Sequence, residues 1–142
     1  MTEVQPLYER VGGIDTLNKV HEIFYTKIFA HPWLSKYFSI RPREHQIQQQ
    51  TTFFTQLMGG PKRYMGKPPQ DAHQFMMITE ELFELRTNLL TESLIEHDIA
   101  DDLRHEWIAL NEMFKRVIVK KSVEECKLQF SHQELLNFPK NA

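Results

Sequence analysis

The chain has 142 residues and a formal net charge of −2, with no cationic leader and no run of about 18 apolar residues; this predicts a single soluble domain without signal peptide or membrane span. So small a net charge provides no basic field for nucleic acid or for an anionic membrane surface. One cysteine, Cys126, cannot form an internal disulfide, which fits a reducing cytoplasm.

The predicted elements are helices punctuated by glycine and proline. A short first segment over 6–11 stops at Gly12-Gly13, and a long helix follows over 15–30, with Leu17, Val20, Phe24 and Ile28 at helical spacing. Pro32 ends that pattern, and 31–38 reads as a short helical turn carrying Trp33, Leu34, Tyr37 and Phe38. A second long helix is predicted over 42–58, with Pro42 in its first turn and Gly59-Gly60-Pro61 as its stop. The stretch 62–72 holds Gly66, Pro68 and Pro69 and reads mostly as loop. A third helix is predicted over 79–94, capped by Thr79 with Glu80 and Glu81 in the first turn. The last long helix carries one stripe, Ile99, Leu103, Trp107, Leu110, Phe114, Val117 and Ile118. Nothing alternates with period two. The predicted fold class is all-α.

Several residues have side chains whose placement demands a partner. Gln46, Gln50, Phe53/Phe54 and Leu57 fall on one face of their helix, which puts two amides in line with a row of apolar groups. The plainer reading is a solvated glutamine-rich face. His73 precedes Phe75-Met76-Met77-Ile78, and a neutral imidazole among such groups is either a satisfied core histidine or an axial ligand to haem iron. Tyr25 lies beside the core stripe, where a phenol needs a polar partner or reaches the surface. Arg86 is flanked at helical spacing by Leu82, Phe83, Leu89 and Leu90; its guanidinium is either buried and paired or carried to water on its stem. There is no HExxH, CxxC, phosphate loop or nucleophile elbow.

The order of segments resembles the truncated haemoglobins. It runs Leu7-Tyr8-Glu9-Arg10-Val11-Gly12-Gly13, then Phe24-Tyr25, Tyr37-Phe38, Phe53-Phe54, Gly59-Gly60-Pro61, Tyr64 and His73. The stretch from Tyr64 to His73 is similar to the group I pattern. The resemblance covers about residues 6–120 and implies a two-over-two helical sandwich around one haem b. It divides the chain into a globin domain over 1–121 and a C-terminal extension over 122–142, expected to be helical in part.

The resemblance also implies roles. His73 matches the iron ligand, and Tyr25, Gln46 and Gln50 match the positions that face a bound gas. Phe24, Phe38, Phe53, Phe54 and Met77 are expected as pocket wall, and Tyr64 as a propionate contact. Two departures from the pattern are expected at the haem as well: Arg86, where group I has an apolar residue and groups II and III a tryptophan, and His45, one residue before Gln46. The implied function is reversible binding of O2, NO or CO at ferrous iron with slow O2 release, in nitric oxide detoxification or oxygen binding and storage. It is served by an unidentified reductase in a monomer or weak dimer. The alternatives are a haem-based sensor or electron carrier, a peroxidase-like activity, and a haem-free helical interaction module.

Overall fold

A computed structural model describes residues 5–38, 40–128 and 133–140. Its elements are α1 (Leu7–Arg10), α2 (Gly13–Ala30), α3 (Ser35–Phe38), α4 (Arg43–Leu57), α5 (Pro69–His73), α6 (Glu80–Glu96), α7 (Asp101–Glu112) and α8 (Lys115–Ile118), then a single 3₁₀ turn, η1 (Val123–Glu125). No strand forms among the described residues; Met76 and Leu136 make one isolated parallel bridge. None of their helices is long and apolar enough to cross a membrane.

Helix α2 is the centre of the packing, lying against α4 on one side and α6 on another, with α7 packed on α6. Its stripe Leu17, Val20, Phe24 and Ile28 is wholly buried, as the helical spacing predicts. The glycine pairs set the tight corners around it. Gly12 precedes α2 with φ +110°, a left-handed conformation that a side chain would strain. Gly60 follows α4, where a Cβ would come within 2.9 Å of the Thr55 carbonyl oxygen and 2.8 Å of the Tyr8 ring. Thr79 caps α6 by accepting a hydrogen bond from the Leu82 amide at 3.1 Å.

Two elements differ from the sequence-based expectation. The predicted loop over 62–72 closes on the short helix α5, because a proline at the first helical position has the right φ and no amide to satisfy there. The predicted last helix is broken between α7 and α8. At the break the Phe114 amide bonds the Asn111 carbonyl at 3.3 Å, a tighter i→i+3 turn, and Val117 of the expected stripe is 40% exposed.

The chain after α8 runs back across α5 and the residues that follow it. Lys127 donates its amide to the Gln74 carbonyl at 2.7 Å, Leu136 to Phe75 at 2.9 Å, and Met77 to Leu136 at 2.7 Å. Trp33 Nε1 donates to the Phe138 carbonyl at 2.8 Å, and the Tyr37 hydroxyl accepts from the Phe138 amide at 2.9 Å. Within 122–142, the 3₁₀ turn η1 is the one helical piece among the described residues.

Candidate functional site

A cavity of about 530 Å³ opens between α2, α3, α4, α5 and α6. Its walls are mainly aromatic and aliphatic, the usual composition of a small-molecule or cofactor site. Phe38 packs edge-on against Tyr25 at 5.8 Å between ring centroids, and Phe53 meets Tyr64 at 5.1 Å and Phe114 at 5.4 Å.

Helix α4 contributes one polar face to this wall: His45, Gln46, Gln49 and Gln50 all line the cavity. Gln46 and Gln50 are one turn apart, so their position follows from helical geometry alone. No hydrogen bond ties either amide to another described residue, which leaves their donors for whatever the cavity holds. Tyr25, on α2, is buried. Burial pushes its phenol pKa up, against the opposing pull of the Arg86 guanidinium, so it stays a protonated donor at neutral pH.

His73 ends α5 at the cavity wall. Its Nδ1 lies 2.7 Å from the Pro69 carbonyl oxygen, an acceptor, so Nδ1 carries the proton and Nε2 carries the lone pair. Burial lowers its pKa to about 4, with the positive charges of Arg86 and Lys120 acting in the same direction. The ring is therefore neutral at pH 7. Lys120 is itself buried and donates from Nζ to the His73 carbonyl at 2.9 Å, which fixes the backbone of the same residue.

Arg86 settles between the two readings its sequence context left open. The guanidinium does not run out to solvent. It lies 5.0 Å over the Phe24 ring, and its Nη1 donates to Asn111 Oδ1 at 2.9 Å. Asn111 Nδ2 in turn donates to Thr87 Oγ1 at 3.0 Å, and Thr87 donates to the Phe83 carbonyl at 3.0 Å. The arginine is thus moored through two side chains to the backbone of its own helix.

Of the residues the sequence singled out, Tyr25, Phe38, His45, Gln46, Gln50, Phe53, Phe54, Tyr64, His73 and Arg86 line the cavity; Phe24 and Met77 do not. Phe24 is fully buried behind Arg86, because successive helical residues point about 100° apart and only Tyr25 of the pair faces inward. Met77 is buried under the returning C-terminal segment, where its carbonyl accepts from the Tyr37 hydroxyl at 3.2 Å. Sequence reasoning missed Gln49, Phe75, Met76, Phe114 and Asn111 at the wall. Gln49 was within reach of it, since it follows Gln46 by three residues and so shares its helix face.

These residues fit a haem. The cavity is apolar enough for a macrocycle and holds a neutral imidazole with its lone pair free. Its charged lining residues, Arg41, Lys67 and Arg86, are all cations, suited to a cofactor with carboxylates.

Comparison with known proteins agrees. A family model described as bacterial-like globin matches residues 6–120. A group 1 truncated hemoglobin of Tetrahymena pyriformis is 32% identical over 106 residues, covering 75% of this chain and 88% of that protein. One from Mycolicibacterium paratuberculosis is 34% identical over 92 residues, 65% of this chain and 68% of that one. The crystal structure of the Tetrahymena pyriformis protein in its Fe(III) form superposes with a TM-score of 0.77 at 30% identity, covering 82% of this chain and all of that one. A group II truncated hemoglobin of Bacillus anthracis shares the fold, with a TM-score of 0.74 at 20% identity. The helical architecture is therefore the two-over-two globin sandwich.

Proposed function

The chain belongs to the bacterial-like globin family, and from that premise we propose that it carries haem b on His73 and binds O2 at ferrous iron with slow release, in nitric oxide detoxification or oxygen storage. Family membership implies a haem and a diatomic gas ligand; the finer assignments rest on the chain's own residues. When bound, haem supplies an iron atom with one coordination position for the protein and one for the gas.

The observation that carries the reading is the hydrogen bond from His73 Nδ1 to the Pro69 carbonyl, which presents Nε2 to the cavity as a ligand. Burial keeps that ring neutral, and the Lys120 contact holds its backbone. Tyr25, Gln46 and Gln50 offer one phenol and two amide donors to a gas molecule that gains negative character, and donors to charged acceptors are the stronger kind. Phe38, Phe53 and Phe54 exclude water from those donors, which strengthens them. Tyr64 is oriented by its hydroxyl, which donates to the Lys67 carbonyl at 2.7 Å, and Arg41 and Lys67 supply positive charge for carboxylates.

Slow release favours a reaction in which NO is oxidised to nitrate by O2 over bulk oxygen transport, with one electron per turnover from an unidentified reductase. A monomer or weak dimer in the cytoplasm completes the proposal, consistent with the single cysteine Cys126.

Absorption spectra of the purified protein, oxidised, reduced and CO-bound, test it. A Soret band and a histidine-ligated deoxy spectrum are expected, and His73→Ala should lose stable haem or change that spectrum. A colourless protein that refuses added haemin would overturn the reading in favour of a haem-free helical module. A six-coordinate ferrous spectrum without added ligand would favour electron transfer.

A further inference from the structure

The described residues that line the cavity include arginine and lysine but no aspartate or glutamate. Arg41 and Lys67 are exposed and can reach water or cofactor carboxylates at the rim. Arg86 is different. The other partly buried arginines each have a carboxylate partner: Arg10 with Glu106, Arg43 with Glu44, and Arg104 with Asp101. Among the described residues, no carboxylate lies within ion-pair distance of Arg86.

Its partners are all neutral: it donates to the Asn111 amide oxygen, shares a side-chain hydrogen bond with the Tyr25 phenol and lies over the Phe24 ring. A neutral amide supplies no counter-charge to a guanidinium. Asn111 and the Tyr25 oxygen take two of its five N–H donors, and the remaining donors are left to meet an anion. Asn111 and Thr87 act as positioning residues, fixing the fork against rotation.

We propose that Arg86 makes the Tyr25 end of the cavity an anion subsite, which takes small monovalent inorganic anions, planar oxyanions such as nitrite above all. This rests on the haem reading, because the anion would occupy the gas side of the cofactor in its ferric form. The geometry commits Arg86 to the Tyr25 side: the guanidinium bonds the Tyr25 phenol, rests on the Phe24 ring behind it and is moored to Asn111 in that position.

The test compares charged with neutral ligands in the haem-loaded protein. Sodium nitrite and sodium azide are titrated into the ferric form by Soret shift, and CO into the ferrous form. Arg86→Leu is expected to lower the ratio of anion affinity to CO affinity by about tenfold or more, the scale of one lost charge-assisted hydrogen bond. Arg86→Lys should recover part of it. Asn111→Asp, which supplies the missing counter-charge without removing the guanidinium, should lower the ratio as well, and it serves if Arg86→Leu fails to fold.

Infrared spectra of the CO form supply a second readout, since loss of a nearby positive charge raises the C–O stretching frequency. Ratios within about twofold of wild type in both Arg86→Leu and Asn111→Asp, at an unchanged C–O frequency, would overturn the proposal. So would an Arg86→Leu variant that loses haem faster at an unchanged ratio, which would assign the arginine to a cofactor carboxylate. A wild-type protein that takes up no haemin would overturn both this inference and the reading beneath it.

Discussion

The two sides of the cavity are built by different means. The Tyr25 side is made from the middles of the long helices α2, α4 and α6, whose backbone groups are satisfied within each helix and whose apolar faces fill the core. The His73 side is made from the five-residue helix α5 and the non-helical residues 74–78, a turn and a short irregular run with few internal bonds of their own. It is held instead by distant chain: Lys120, Lys127 and Leu136 bond to the backbone of His73, Gln74 and Phe75. One wall is held together by local structure and the other by tertiary straps. Stability should therefore be separable between them.

The largest expected effect comes from ending the chain after Lys121. That removes the bonds from Lys127, Leu136 and Phe138, at about 1 kcal/mol each, and the burial of Leu136, about 1.5–3 kcal/mol. We expect 1–121 to fold as a domain with most of its helical circular dichroism but a lower melting temperature and faster transfer of haem to an acceptor apoprotein. Equal transfer rates would show that the straps do not hold the His73 side.

An acid titration probes the opposite side. His21 is buried on α2 with Nδ1 2.8 Å from Thr51 Oγ1, packed edge-on against Phe54 and Trp107, each at 5.9 Å. Burial, reinforced by Arg86, lowers its pKa to about 3. Because its folded pKa lies below the unfolded value of about 6.5, the unfolded chain binds more protons between the two, and stability falls as pH drops through that range. His21→Leu should make the acid limb of the haem-free protein shallower. An unchanged limb would remove His21 from the account.

Tyr25→Phe is expected to speed O2 dissociation by about tenfold, near 1.4 kcal/mol, measured by stopped flow. It should leave haem transfer alone, because it touches only the helical wall. The smallest effect is Thr79→Ala, about 1 kcal/mol of thermal stability for one helix cap. That loss should appear in chemical denaturation with no change in ligand kinetics.

The helical wall was largely legible in the sequence, and the strapped wall was not. Helical spacing located the buried stripe of α2 and the Gln46/Gln50 pair, and Thr79 announced the start of α6. The resemblance, not the spacing, put Phe24 at the pocket wall, and Phe24 is instead core behind the cavity lining. Helical spacing carried one helix through the break at Asn111–Phe114. There Asn111 turns inward to Arg86, and Phe114 faces the cavity against Phe53. His21 looked ordinary in the sequence and is a core residue, because its neighbours Thr51, Phe54 and Trp107 come from other helices.

The all-α class, the positions of the long helices, their glycine corners and the family were all readable in the order of residues. Each of these depends on local spacing, backbone freedom or motif order. That Arg86 turns inward without a carboxylate partner among the described residues came from packing between helices. So did the bonds by which the C-terminal segment ties down the backbone next to His73, and the place of Met77 in that tie and not in the cavity. These depend on which residues meet across 25 positions of chain or more, as Arg86 meets Asn111, and hydrophobic spacing carries no record of such pairings.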